Sequence, residues 1–91
     1  MYVRVTRGRV NGEKFDEVQR LIEDQLVPAV KQLPGFQGYR GGINRSAATL
    51  IAISFWETEE QTKALQAQRG TYEALGVEFE PAEIYEITID V

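Results

Sequence analysis

Trp56 closes the apolar run Ala48 to Trp56, and two of the residues that share its side of an extended chain, Ala52 and Ser54, are small. Alternation along a strand sets Leu50, Ala52, Ser54 and Trp56 on one face, which leaves space beside the indole for a flat ligand. Three further side chains suit the lining of such a space. Arg4 lies on an N-terminal stretch where Val3 and Val5 alternate with polar residues, and a guanidinium turned inward would clamp an anionic or phenolate substrate. Tyr39 lies within the second extended stretch, and Tyr72, between Gly70 and Gly76, is the best placed hydroxyl. We therefore take Trp56, Tyr72, Arg4 and Tyr39 as ligand-binding candidates and single out no residue as catalytic.

Each candidate has a plainer reading. A large indole mostly serves packing, and we favour that role for Trp56. Tyr39, like Tyr85 and Phe79, also suits a core or a contact between subunits. Arg4, Arg7 and Arg9 form one basic cluster, and the last strand brings Glu83, Glu86 and Asp90 beside it. Cross-strand charge pairing is the reading we favour for these arginines.

The missing residue types narrow the chemistry. The chain has no Cys and no His, which removes thiolate nucleophiles, disulfides, the commonest metal ligand and the side chain best suited to proton transfer near neutral pH. No metal site and no cofactor are expected. A formal charge of −4 argues against a nucleic-acid surface, and no stretch has the length and apolarity of a membrane span. The N-terminal residues lack the apolar core of a secretion signal, so a cytoplasmic protein is expected. Ninety-one residues suit one domain over 1–91, small enough for its stability to lean on a partner.

These side chains are carried by six elements. Tyr2 to Val10 reads as a strand closed by the turn Asn11-Gly12. Phe15, Val18, Leu21, Ile22, Leu26, Ala29, Val30 and Leu33 recur at helical spacing, which predicts an amphipathic helix over 13–33. Pro28 predicts a kink or break near Leu26-Val27, and Pro34-Gly35 ends the helix. Phe36 to Ile43 is a second strand weakened by Gly38, Gly41 and Gly42, so a bulge or an edge position is expected. After the turn Asn44-Arg45-Ser46 comes the third strand, apolar on both faces. Thr58 and Gln61 have the spacing of a capping box and open a second helix, interrupted at Gly70 and stopped at Gly76. A last strand runs from Ala82 to Val91.

The order β-α-β-β-α-β predicts an α+β, ferredoxin-like fold: a four-stranded antiparallel sheet with both helices on one face and strands in the spatial order fourth, first, third, second. Strand 3 is apolar on its outer side too, through Ile51, Ile53 and Phe55. A second copy packed against that face, forming a homodimer, is the economical explanation.

This order, the stretch Leu33-Pro34-Gly35-Phe36-Gln37-Gly38-Tyr39 and the strand ending Phe55-Trp56-Glu57-Thr58-Glu59-Glu60 together resemble the antibiotic-biosynthesis monooxygenase-like family of the dimeric α+β barrel superfamily. The resemblance implies a homodimer with a small-molecule pocket in each protomer between sheet and helices. Some members oxidise polyphenols with dioxygen and no metal or flavin; others bind and degrade haem. The cofactor-free oxygenases use a strand-3 Asn, the tryptophan and a helix Tyr; Trp56 matches, while Ala52 and Thr62 stand at the other two positions. The haem-degrading branch uses a His, a strand-1 Asn and a second Trp, and this chain has no His, Arg4 and Thr6 on strand 1, and Leu65 on the helix.

The function implied is a cofactor-independent monooxygenase acting on a small aromatic metabolite. The alternative is a non-catalytic ligand-binding or structural dimer.

Overall fold

A computed structural model describes the backbone of all 91 residues and the side chains of all but Ala67 and Gln68. Strand β1 (Tyr2–Arg9) leads through a 3-10 turn at Gly12–Lys14 into helix α1 (Phe15–Leu21), a π-helical segment (Ile22–Leu26) and helix α2 (Val27–Val30). Strands β2 (Phe36–Asn44) and β3 (Thr49–Trp56) form a hairpin. A 3-10 stretch (Glu60–Gln68) runs into helix α3 (Arg69–Glu73), and the short strands β4 (Glu78–Phe79) and β5 (Glu83–Glu86) follow.

All pairings are antiparallel, and the sheet runs β2-β3-β1, with β4 and β5 both against the free side of β1. This is the expected spatial order, with the fourth strand shortened to β5 and a further short strand, β4, ahead of Pro81 that the sequence did not predict. Gly8 eases the approach of β4 to β1: a Cβ there would sit 3.2 Å from the Glu78 carbonyl oxygen, Phe79 and Val77, so a larger residue would push these neighbours back by a few tenths of an ångström. The last strand is shorter than the predicted stretch Ala82 to Val91. Beyond β5 one ladder bond, from the Ile87 amide to the Met1 carbonyl, continues it, and Ile89 and Val91 lie exposed.

The helical stretch passes through Pro28 without breaking. Just before the proline, the Val27 amide bonds to the Ile22 carbonyl five residues back, the wider π spacing. The expected kink is thus absorbed as a local widening. Phe15, Val18, Leu26 and Val30 are buried against the sheet, as their spacing predicted, and Leu21, Ile22 and Leu33 pack at the margin. Ala29, placed on that face by periodicity, is exposed.

The capping box forms reciprocally: the Thr58 amide bonds to Gln61 Oε1 at 3.1 Å and the Gln61 amide to Thr58 Oγ1 at 3.4 Å. Gly70 interrupts nothing, because it lies inside α3. The stop falls at Gly76, whose φ of 89° lets its own amide reach the Glu73 carbonyl and the Val77 amide reach the Tyr72 carbonyl, a Schellman closure. Strand β2 is both bulged, between Phe36 and Gly38, and at the edge of the sheet.

Candidate functional site

Alternation along β1 turns Arg4, Thr6 and Gly8 toward the helices and leaves Val3, Val5 and Arg7 on the other face. Arg4 therefore sits under the helical layer, opposite Ser54 on β3 and Ile84 on β5, and is only 5% exposed. Its guanidinium donates to the Thr6 hydroxyl at 2.9 Å and to the Gln66 amide oxygen at 3.3 Å, both neutral acceptors. The charge pairing expected of the arginine cluster holds for Arg7, which meets Glu83 across the sheet. It does not hold for Arg4, because the β5 residue paired with it is Ile84.

Beside Arg4 a cavity of about 50 Å³ opens between sheet and helices. Tyr39 from β2 and Tyr72 from α3 line it, with Leu50, Ala52, Leu65 and Phe79 among the apolar walls. Ala52 stands where the oxygenase resemblance places an Asn, so that wall offers no polar contact. The cavity also takes Arg69, which no sequence pattern had marked. Arg69 donates to the Glu80 carbonyl at 3.0 Å and lies 5.0 Å from the centre of the Phe79 ring, while its buried Nε has no hydrogen-bond partner. Only the folding of α3 back over the sheet brings it near Arg4, and nothing local in the sequence encodes that.

Of the four candidates, Arg4, Tyr39 and Tyr72 meet at this cavity. Trp56 does not line it. Its indole is fully buried, donates to the Ser54 hydroxyl at 2.8 Å and stacks edge-on with Phe36 at 5.5 Å. The space expected beside Trp56 instead opens further along β3, at Ala52 and Leu50. Thr62, at the position of the helix Tyr of the oxygenases, is also fully buried, and its hydroxyl donates to the Glu59 carbonyl at 2.5 Å.

The charges here follow from burial. Desolvation, then the neighbouring charge of Arg69, lowers the pKa of Arg4, with Tyr39 opposing; a guanidinium nevertheless stays protonated at any physiological pH. Burial, then the proximity of Tyr39, pushes Tyr72 up to about 12, and burial raises Tyr39 with Arg4 opposing. Both tyrosines are therefore neutral hydroxyls. No carboxylate lines the cavity, and among the described residues no cluster of metal-ligating side chains occurs. The arrangement can orient a bound molecule, exclude water and stabilise negative charge on it. It has no group that takes up or releases a proton near neutral pH. Nor does it suit haem: the chain has no His, and the space is far smaller than a porphyrin.

No protein-family model and no curated protein matches the sequence. Solved structures do match the fold over the full chain. A protein of Deinococcus radiodurans bearing the name antibiotic biosynthesis monooxygenase superposes with a TM-score of 0.81 at 14% identity, covering 100% of this chain and 96% of its own. SnoaB of Streptomyces nogalater, a cofactor-independent oxygenase, gives 0.71 at 18% identity over 99% and 95%. MhuD of Mycobacterium tuberculosis, a heme-degrader with two hemes in its active site, gives 0.70 at 18% over 100% and 99%. The chain thus has the fold of the antibiotic biosynthesis monooxygenases, as its element order and motifs implied. One fold serves two chemistries among these neighbours, so activity rests on the site. No helix among the described residues is long and apolar enough to cross a membrane.

Proposed function

We propose that the cavity between sheet and helices, together with the cleft of about 470 Å³ that adjoins it at Tyr39 and Ala52, binds a small aromatic metabolite and that the protein acts on it as a cofactor-independent monooxygenase. The observation that carries this reading is a cavity with apolar walls into which two guanidiniums and two neutral phenols converge, on a fold shared with such an oxygenase. The absence of a proton-transfer group is compatible with that chemistry if the substrate reacts as its own electron-rich anion. The substrate's own electrons then reduce dioxygen: the O–O bond breaks, one oxygen atom replaces the two hydrogens of an activated ring CH2 as a carbonyl, and the other leaves as water with those hydrogens. The protein supplies orientation, a dry space and a donor, Arg4 or Tyr72, that stabilises the anion.

We further propose that the protein works as a homodimer in the cytoplasm. Val3 and Val5 of β1 and Ile51, Ile53 and Phe55 of β3 form an apolar row on the sheet face away from the helices, and in the single chain all five are only half-buried. A second copy would cover them.

The test of the catalytic reading is oxygen uptake by purified protein across a panel of electron-rich quinols. Uptake that Arg4→Ala abolishes and Tyr72→Phe reduces supports it. Saturable binding of the same compounds without uptake would leave a ligand-binding dimer, and no binding at all a structural one.

A further inference from the structure

We propose that the ligand of this cavity is an amphiphilic organic anion, its planar oxyanion head held between Arg4 and Arg69 and its apolar body in an adjoining cleft. The inference rests on the reading of the cavity as a ligand site and adds the chemical class of the ligand.

The first argument is charge. The chain has more acidic residues than basic ones, and Arg7, Lys14, Arg45 and Lys63 each have a carboxylate partner at the surface. Arg4 has none, although it is the one of these cations that is buried, and a buried charge without a counter-charge is costly. Arg69 lines the same space and raises that cost by like-charge repulsion. Its Nε is a buried donor with no acceptor. Two cations and an unused donor around one cavity, with no acid in its walls, are what an incoming oxyanion would satisfy. Tyr72, kept protonated by burial, adds a neutral donor.

The second argument is size. A cavity that holds benzene measures roughly 150 Å³. The inner space, at about 50 Å³, takes a carboxylate-sized group and excludes a ring. Outside it lies a cleft of about 470 Å³ between α1 and strands β2 and β3. Val18, Ile22, Tyr39, Leu50 and Ala52 line both, so the two spaces adjoin. Head and ring therefore have separate places, with Tyr39 at the junction.

The test is isothermal titration of the full chain with three probes of one shape: 2-naphthoate, 2-naphthamide and 2-naphthol. We expect the carboxylate to bind at least about tenfold more tightly than the amide at neutral pH, the scale of a charge-assisted hydrogen bond. Arg4→Gln and Arg69→Gln should each erase most of that preference, weakening the carboxylate far more than the amide. Should Arg4→Gln fail to fold, the partly exposed Arg69 still decides the matter. A naphthol affinity that climbs as the pH is raised through its ionisation, with naphthoate weak, would also support the anion and identify the head as a phenolate. Equal binding of carboxylate and amide, with naphthol insensitive to pH, overturns the proposal while the ligand cavity stands. Failure of every probe to bind overturns both.

Discussion

Trp56 and Ser54, two residues apart on β3, are joined by a 2.8 Å hydrogen bond from indole nitrogen to serine hydroxyl, and both are sealed from solvent. The polar edge of the tryptophan is thereby spent inside the sheet, and its ring meets that of Phe36 in an edge-on arrangement. This is the geometry of a core residue.

Ser54→Ala should therefore destabilise the protein by about 1–3 kcal/mol, the cost of a buried donor left without an acceptor. Urea denaturation followed by Trp56 fluorescence measures it. A variant as stable as the parent would show that some other group takes the indole hydrogen.

Gly35 makes a second such point. Its φ is 78°, its carbonyl accepts the Glu57 amide at 2.9 Å, and a side chain there would collide with the amide group of Gln61. Gly35→Ala forces Gln61 out of its bond to Thr58 as well as straining the backbone, and should cost about 1–3 kcal/mol. Gln61→Ala removes only the side-chain bond to the Thr58 amide and keeps the amide bond to Thr58 Oγ1, at about 1 kcal/mol or less. The double variant should be less destabilised than the sum of the two, because the cap can be lost only once. Strict additivity would separate the glycine from the cap.

How much of this was legible follows from how local each cause is. The capping box, the stop at Gly76 and the bulged edge strand are set by neighbouring residues, and all three stand where their motifs placed them. The short strand β4 pairs with β1 at Gly8, about 70 residues away in the chain, where a missing side chain eases its approach, and no window of sequence carries that. The site divides in the same way. Alternation was enough to turn Arg4 inward, yet its register opposite Ile84 decides that it has no acid beside it. Arg69 is polar, sits in a short helix and comes to line the same cavity as Arg4 only through tertiary folding. The space beside Ala52 was legible from small residues on β3, but Trp56 filled the near end of it and left the far end open.

Tyr72 gives the stability curve its alkaline limb. An unfolded tyrosine ionises near 10, whereas in the folded chain burial pushes Tyr72 up to about 12. Below the lower value both states are protonated and the contribution is fully present. Between the two the unfolded state alone loses its proton, so stability falls as pH rises through this window. Tyr39, also raised, adds to the same slope. Tyr72→Phe should flatten it, measured as urea midpoints from neutral pH upward. An unchanged slope in the variant would mean that Tyr72 ionises no later than an exposed tyrosine.

The outer sheet face supplies the last prediction. Ile53 lies on β3 opposite Val5 on one side and Arg40 on the other, in the middle of the apolar row that a second copy would cover. Ile53→Glu places a carboxylate there. On a lone chain it faces water beside Arg40, and cross-strand pairs of opposite charge are mildly stabilising, so the fold should survive. Between two packed sheets the same carboxylate loses its water, a cost of several kcal/mol per ion. Sedimentation velocity should thus find a dimer for the parent chain and a monomer for Ile53→Glu, each with the same circular dichroism. If the parent is itself a monomer, the apolar row is solvated and the dimer proposal fails; if the variant stays dimeric, the two chains meet through a different face.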